Sequence, residues 1–284
     1  MYFVVIDPIV TYAASAWHYA TMLQTVRNRL ETLQRCFALK ICKAYRMSLL
    51  TSVTVLSGTL LVDLKIRVSA LLFQAKKGNS ADFLPQDGTM QQKVSHLDLS
   101  HPAELIKTEF EFLENLESET VKSQNLAEAF IYTDGSKIVG QVAAAFTWWD
   151  QNKETSNSTL NLHPSCTVFQ SELYALLKAV NIVKDNSETI FNIMNDMQSA
   201  LELLSNPKPY HHLAKQTQEC IRDISAEGRR ECLFWIRANI DKAGKQRADE
   251  LAKQGAPWDQ ITAIYHKLPV SFVKRKIRQK SVRI

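Results

Sequence analysis

Between Leu23 and Ala44, apolar residues return every three or four positions, at Leu23, Val26, Leu30, Leu33, Phe37, Ile41 and Ala44. That step predicts an amphipathic helix, whose other face carries Arg27, Arg29, Arg35, Lys40 and Lys43. A second helical pattern follows Val62, through Leu64, Val68, Leu71 and Leu72. The first twenty residues are largely apolar, but no basic stretch precedes them and Asp7-Pro8 and His18 interrupt the run. They are expected inside a soluble domain, neither as a signal peptide nor as a membrane span. Residues 1–77 thus read as a small helical module, with a core so thin that it is expected to lean on something else. From Gly78 to Asn125 the periodicity fades. Asn79, Ser80, Pro85, Asp87 and Gly88 read as loop, and Glu109, Glu111, Glu114, Glu117 and Glu119 crowd a short stretch. Residues 78–125 are expected to form an acidic, partly helical linker.

From Leu126 the pattern becomes α/β. Ala129–Thr133, Val142–Trp149 and Thr155–Leu162 read as three consecutive strands. A helix follows from Val168 to about Lys184, with Leu173, Leu176, Leu177, Val180 and Val183 on one face. Thr167 and Gln170 have the spacing of a capping box that would start it. Thr189–Met194 is a fourth strand, and Met197–Ser205 a short helix. A longer helix runs from about His211 to Ala226. Cys232–Ile236 is a fifth strand, and Gln246–Gln254 a last helix. His211 and His212 read as surface residues ahead of their helix, and Trp148, Trp149 and Trp235 as core or edge aromatics. The expectation is an α/β fold, a mixed five-stranded sheet flanked by helices over residues 126–256, preceded by the helical module.

Charge divides the chain the same way. The net charge of +5 hides a basic start, an acidic middle and a basic tail over residues 257–284, with Lys274, Arg275, Lys276, Arg278, Lys280 and Arg283. Basic segments at both ends fit a polyanionic partner, and the tail reads equally as a nuclear-localisation signal. The five cysteines have neither a C-x-x-C pair nor histidines at zinc-ligand spacing, which fits free thiols in an intracellular setting, nucleus or cytoplasm.

The chemistry enters with four acids. Asp134 follows the first strand in "FIYTDGS", and Asp196 follows the fourth in "IMNDMQSAL". Sites in open α/β sheets form beyond the carboxyl ends of the strands, so neighbouring strands would bring both carboxylates into one crevice. Glu172 lies in the first turn of the helix after strand three, and Asp249 in the opening turn of the last helix. Taken singly, each has an ordinary structural role: Asp134 as a turn acid, Asp196 as a helix cap, Glu172 and Asp249 as acids favoured at helix starts. Together they form a cluster whose mutual repulsion a hard divalent cation such as Mg²⁺ would relieve.

The motifs "YTDGS" (Tyr132–Ser136), "FQSELYAL" (Phe169–Leu176), "NDMQSAL" (Asn195–Leu201) and "ADELAK" (Ala248–Lys253) occur in the order and rough spacing of a type 1 ribonuclease H domain, which this region resembles. It is closest in style to the domain in insect-type non-LTR retrotransposon polyproteins of the jockey, I and R1 kind. The resemblance implies hydrolysis of the RNA strand of RNA–DNA hybrids. Asp134, Glu172, Asp196 and Asp249 would hold two Mg²⁺ ions, with Mn²⁺ able to substitute. It also implies hybrid contacts at Gly135, Ser136, Gln198 and Asn239. "DPIVTYAASAWHYA", "LETLQRCFALKICKAYR" and "LSGTLLVDL" in the first module resemble the region after a reverse-transcriptase palm, which makes other parts of such a polyprotein expected partners. No paired-aspartate polymerase motif occurs, and no polymerase activity is expected. Asn239 stands where the family carries a loop histidine, and Lys245-Gln246 replace its Asn-Glu pair. A histidine can titrate near neutrality and an asparagine cannot, so slow turnover is expected. The alternative is a weak or inactive transposon-derived fragment that binds nucleic acid without cutting it.

Overall fold

A computed structural model describes residues 2–78, 84–85, 88–95, 97, 99, 101, 108–113, 129–186, 190–237, 243–255 and 263–282. They fall into two compact units, Met1–Met90 with Val270–Ile284, and Gln91–Pro269.

The first unit is helical. Its long helices are α1 (Gln24–Cys42), α2 (Leu50–Leu56) and α3 (Val62–Lys76). The apolar stripe expected between Leu23 and Ala44 forms α1, but Lys43 adopts a left-handed backbone and ends it. Ala14, Val62 and Ile66 make a small core, with Val10, Trp17 and Leu30 against it. Gln34 is buried among them and cross-links the chain, donating to the Leu60 carbonyl at 2.8 Å and accepting from the Val62 N–H at 3.0 Å. Tyr12, Tyr45, Met47 and Val55 remain exposed, as a core this thin cannot cover them. Lys274 and its basic neighbours, read from sequence within a linear tail, belong to a helix at Val270–Val282. Val273 and Ile277, four residues apart on one face, are fully buried, and the helix packs on α3.

The second unit is built on one mixed sheet. Its strands are β1 (Phe110–Leu113), β2 (Ala129–Ile138), β3 (Gln141–Asp150), β4 (Lys153–Leu162), β5 (Ile190–Asn195) and β6 (Arg230–Ile236), in the order β1-β6-β5-β2-β3-β4. The meander β2-β3-β4 is antiparallel; β5 lies parallel to β2, and β6 parallel to β5. The mixed sheet predicted from sequence is therefore present, with one strand more. β1 comes from the stretch read as acidic linker and runs parallel to β6, burying Leu113. Its short apolar run is masked in sequence by the glutamates around it.

Helices α4 (Val168–Asp185), α5 (Gln198–Ser205), α6 (His212–Ala226) and α7 (Ala243–Gly255) flank this sheet. Alternation along β2 sorts its residues between two faces. Ile131 joins Leu173, Leu176, Phe191, Ile193 and Leu201 in the larger core. Tyr132, one position on, joins Met194, Phe234 and Ala248 of α7 in the smaller one. Truncating a fully buried leucine such as Leu176 to alanine would cost about 2–5 kcal/mol. The capping box is formed: Gln170 N–H donates to Thr167 Oγ1 at 3.2 Å, and Thr167 N–H donates to Gln170 Oε1 at 3.0 Å. It fixes where α4 begins, four residues before Glu172.

His211 is corrected by the structure. It is 4% exposed, and its Nδ1 caps α6 by accepting from the Leu213 N–H. His212 pairs with the Tyr265 hydroxyl at 2.8 Å. Both imidazoles are taken into the unit by the amphipathic start of α6. All five cysteines are free thiols. Among the described residues, no helix is long and apolar enough to cross a membrane.

Candidate active site

The parallel register sets Tyr132 opposite Met194. Two residues further on, Asp134 and Asp196 therefore lie side by side: Asp196 just past the end of β5, and Asp134 inside β2, which runs on to Ile138 rather than stopping before the acid as expected from sequence. Asp134 shares the face of Tyr132, toward α7, by alternation. Asn195, the residue between Met194 and Asp196, points the other way, toward α4.

Glu172 arrives from α4, and it comes close because residue 135 is glycine. A Cβ there would sit 2.5 Å from Ser171 Oγ and 2.7 Å from the Glu172 nitrogen. With that space free, Gly135 N–H donates to Glu172 Oε1 at 2.8 Å. The other oxygen, Oε2, accepts from Asn195 Nδ2 at 2.9 Å, and the same amide donates to Thr133 Oγ1 at 3.0 Å. Asn195 Oδ1 in turn accepts from the Met197 N–H at 2.8 Å. A fully buried asparagine thus ties Glu172, β2 and the turn after β5 together. Trp235 adds a further tie, its indole N–H donating to the Asp196 carbonyl at 3.0 Å. Ligand oxygens of Asp134, Glu172 and Asp196 lie within 4.8 Å of one another.

Into this cluster comes a lysine. Gly244 opens the first turn of α7 against the Tyr132 ring, where a Cβ would lie 2.3 Å from ring carbons. Its carbonyl accepts from Thr147 Oγ1 at 3.0 Å. The next residue, Lys245, has a side chain only 3% exposed. Its Nζ lies 2.5 Å from Asp134 Oδ1, 3.1 Å from Asp196 Oδ2 and 3.2 Å from the Thr133 carbonyl. An ammonium has three donors and no acceptor, so all three are engaged.

The electrostatics follow from burial. Removal from water pushes the Asp134 carboxyl above its usual range, against the pull of the adjacent Lys245 ammonium. Glu172 is raised to about 8, chiefly by burial and then by the Asp134 charge. Burial alone would lower Lys245, but Asp134, Asp196 and Glu172 outweigh it and hold the ammonium above its ordinary pKa. The pocket is one in which a cation is favoured and uncompensated negative charge is costly.

Of the four acids named from sequence, three converge. Asp249 lies one turn after Lys245 on α7 and is near enough to Asp134 to raise it electrostatically. Its carboxylate, however, is 38% exposed and turned to Lys253 at 2.6 Å. The Gly135 N–H, expected to meet phosphate, is spent on Glu172. Ser136 is half-buried beside it. Gln198 is exposed at the start of α5 and donates to Glu202 at 2.8 Å. Asn239 lies outside the described residues.

Sequence reasoning missed Asn195 and the reach of Lys245. Each had a signal. Asn195 immediately precedes Asp196 on a strand whose alternate residues face α4. Lys245 stands four residues before Asp249, which puts both on one helix face.

A divalent cation fits the donor set. Three carboxylates from three elements offer hard oxygen ligands, the kind that Mg²⁺ and Mn²⁺ take. The arrangement is already satisfied in part by an internal cation.

Solved structures of RNase H1 enzymes are among those that this chain resembles. LC11-RNase H1 in complex with RNA/DNA hybrid is 19% identical, over 45% of this chain and 96% of that one, with a TM-score of 0.37. RNase H1 from the halophilic archaeon Halobacterium salinarum NRC-1 is 17% identical over the same shares, with a TM-score of 0.35. No protein-family model matches this chain, and neither does any curated protein.

Proposed function

We propose that this chain hydrolyses the RNA strand of RNA–DNA hybrids at the cluster of Asp134, Glu172 and Asp196, with a divalent metal ion. The observation that carries this reading is the convergence of three carboxylates, two of them buried, where Asp134 of β2, the residue after β5 and the first turns of α4 meet. Carboxylates gathered this closely repel one another unless cations lie among them; Lys245 supplies one positive charge, and a divalent ion would supply the rest. Bound there, such an ion supplies Lewis-acid polarisation of a phosphodiester and a water acidic enough to attack it.

The chain's own residues do the rest. Asn195 and the Gly135 N–H hold the Glu172 carboxylate with one bond on each oxygen, leaving its remaining lone pairs for the site. Trp235 fixes the backbone at Asp196. Asp249 stands at the rim, where release from Lys253 would let it join. Gln198 and Ser136 would meet the sugar–phosphate backbone, which an enzyme indifferent to sequence must read by shape and 2′-hydroxyls. The motif resemblance adds a retrotransposon polyprotein as the parent of this chain and its other segments as partners.

A second reading has its own observation. Lys245 already engages both aspartates, as it would in a fragment that keeps the fold and binds nucleic acid without cutting it. The experiment that separates the two is cleavage of an end-labelled hybrid by purified protein in Mg²⁺ and in Mn²⁺. Single-stranded RNA and duplex DNA serve as controls. Hybrid-only cleavage that Asp196→Asn reduces about a thousandfold, several kcal/mol of lost stabilisation at 1.36 kcal/mol per tenfold, supports the enzyme. Binding of the hybrid without cleavage by folded protein supports the fragment.

A further inference from the structure

We infer that Lys245 serves as one of the cations of this site, so that the chain binds a single divalent ion where two would otherwise be held. The inference rests on the metal-site reading above and specifies its stoichiometry.

Three observations carry it. The first is position: Lys245 Nζ bridges Asp134 Oδ1 and Asp196 Oδ2, the two carboxylates that strand register sets side by side. A cation shared between those oxygens would have to take the place that the ammonium holds. The second is permanence. The side chain is 3% exposed, and its third donor is anchored to the Thr133 carbonyl. Gly244 and Thr147 fix the turn from which it springs. Withdrawing it would take the ammonium from three acceptors and leave Asp134 and Asp196 facing each other with no cation between them, which is costly. The third is charge. Ionised, as metal ligation requires, Asp134, Glu172 and Asp196 carry three negative charges. One ammonium and one divalent ion balance them. Two divalent ions with Lys245 in place would leave two positive charges in excess, and Asp249, the nearest further acid, is already paired with Lys253.

Oxygens remain for one ion. Lys245 takes one oxygen of each aspartate, leaving Asp134 Oδ2 and Asp196 Oδ1 beside Glu172. The lysine thus acts as a positioning residue that sets metal number, and its effect is read in ions bound, independently of turnover.

The test counts Mn²⁺ bound per full-length chain at saturation, from the electron paramagnetic resonance of the free ion. The wild type is expected to bind one ion. Lys245→Met, which removes the charge, is expected to bind two, and Lys245→Arg, which keeps it, to remain at one. Should Lys245→Met not fold, Lys245→Gln is counted in its place. Two ions or none on the wild type would overturn the inference, as would a single ion on the uncharged variant. The count and the cleavage assay fail separately: one ion with no hybrid cleavage sinks the enzyme and leaves the lysine's role standing, and cleavage with two ions does the reverse.

Discussion

Lys245 and His211 are both basic side chains buried in the sheet unit, Lys245 against the middle of β2 and the end of β5 and His211 at the start of α6. They are 2% and 4% exposed, yet their surroundings treat them in opposite ways. Lys245 faces Asp134, Asp196 and Glu172, whose charges overcome desolvation and keep it an ammonium. His211 lies between the Phe169 ring and a second imidazole, His212, and burial together with that imidazole pulls its pKa down to about 3. Burial of equal depth therefore yields a fixed charge in one place and a neutral cap in the other. The acid cluster is a pocket that selects positive charge, and the helix start is a pocket that refuses it.

The largest effect is expected where the charge-selecting pocket is held together. Asn195→Ala leaves Glu172 Oε2 and the Met197 N–H without their partner in a buried setting, and should cost about 1–3 kcal/mol. The same variant should weaken metal-dependent thermal stabilisation, because nothing then orients Glu172. Denaturant unfolding with and without Mn²⁺ measures both. An unchanged midpoint would remove Asn195 from the account.

The neutral pocket predicts a pH dependence with a definite sign. The native pKa of His211 lies near 3 and the unfolded one near 6.5, so between them the unfolded chain binds the extra proton. Stability from this group is then fully present above about pH 6.5 and falls with acidification at about 1.36 kcal/mol per unit. His212, lowered in the same direction by burial and then by Lys267, adds to the slope. His211→Asn keeps an acceptor for the Leu213 N–H and should flatten the wild-type slope between about pH 6.5 and 4.5. Parallel slopes for the two proteins would contradict a neutral buried His211.

The smallest effect is expected at the rim. The half-exposed pair of Asp249 with Lys253 contributes under about 1 kcal/mol. Asp249→Asn should therefore leave stability nearly unchanged while lowering cleavage. A large loss of stability would mean that Asp249 is buried among the other acids after all.

The sheet and its acids were legible because both obey local rules. Alternation along Ala129–Thr133, the capping box at Thr167 and the helical stripe from Leu173 to Val183 each name their element, and sites lie beyond strand ends. Glu172 and Asp196 follow from those elements alone, whereas Asp134 lies inside β2, whose continuation to Ile138 the Asp-Gly pair hid. Asp249 was legible as a neighbour but its pairing was not, since a half-exposed carboxylate on a helix chooses among partners that sequence lists without ranking. Lys245 was visible only as a departure from a motif. That it turns inward depends on Gly244 lying against Tyr132, a contact between residues more than a hundred positions apart. β1 hid among glutamates, and the helix at Val270–Val282 hid among lysines and arginines. In each, two apolar positions suffice for burial once a partner surface exists, and too few remain to dominate a charged sequence.

In the function proposed above, three carboxylates and a metal ion direct water onto a phosphodiester of RNA paired with DNA. The most direct measurement is the chemistry of the cut ends, read from a hybrid cleaved by the full chain in Mg²⁺ or Mn²⁺. Attack by water expels the 3′ oxygen, so the account predicts 3′-hydroxyl and 5′-phosphate ends. Ends carrying a 2′,3′-cyclic phosphate would mean that the RNA's own 2′-hydroxyl attacked, and would contradict the claim.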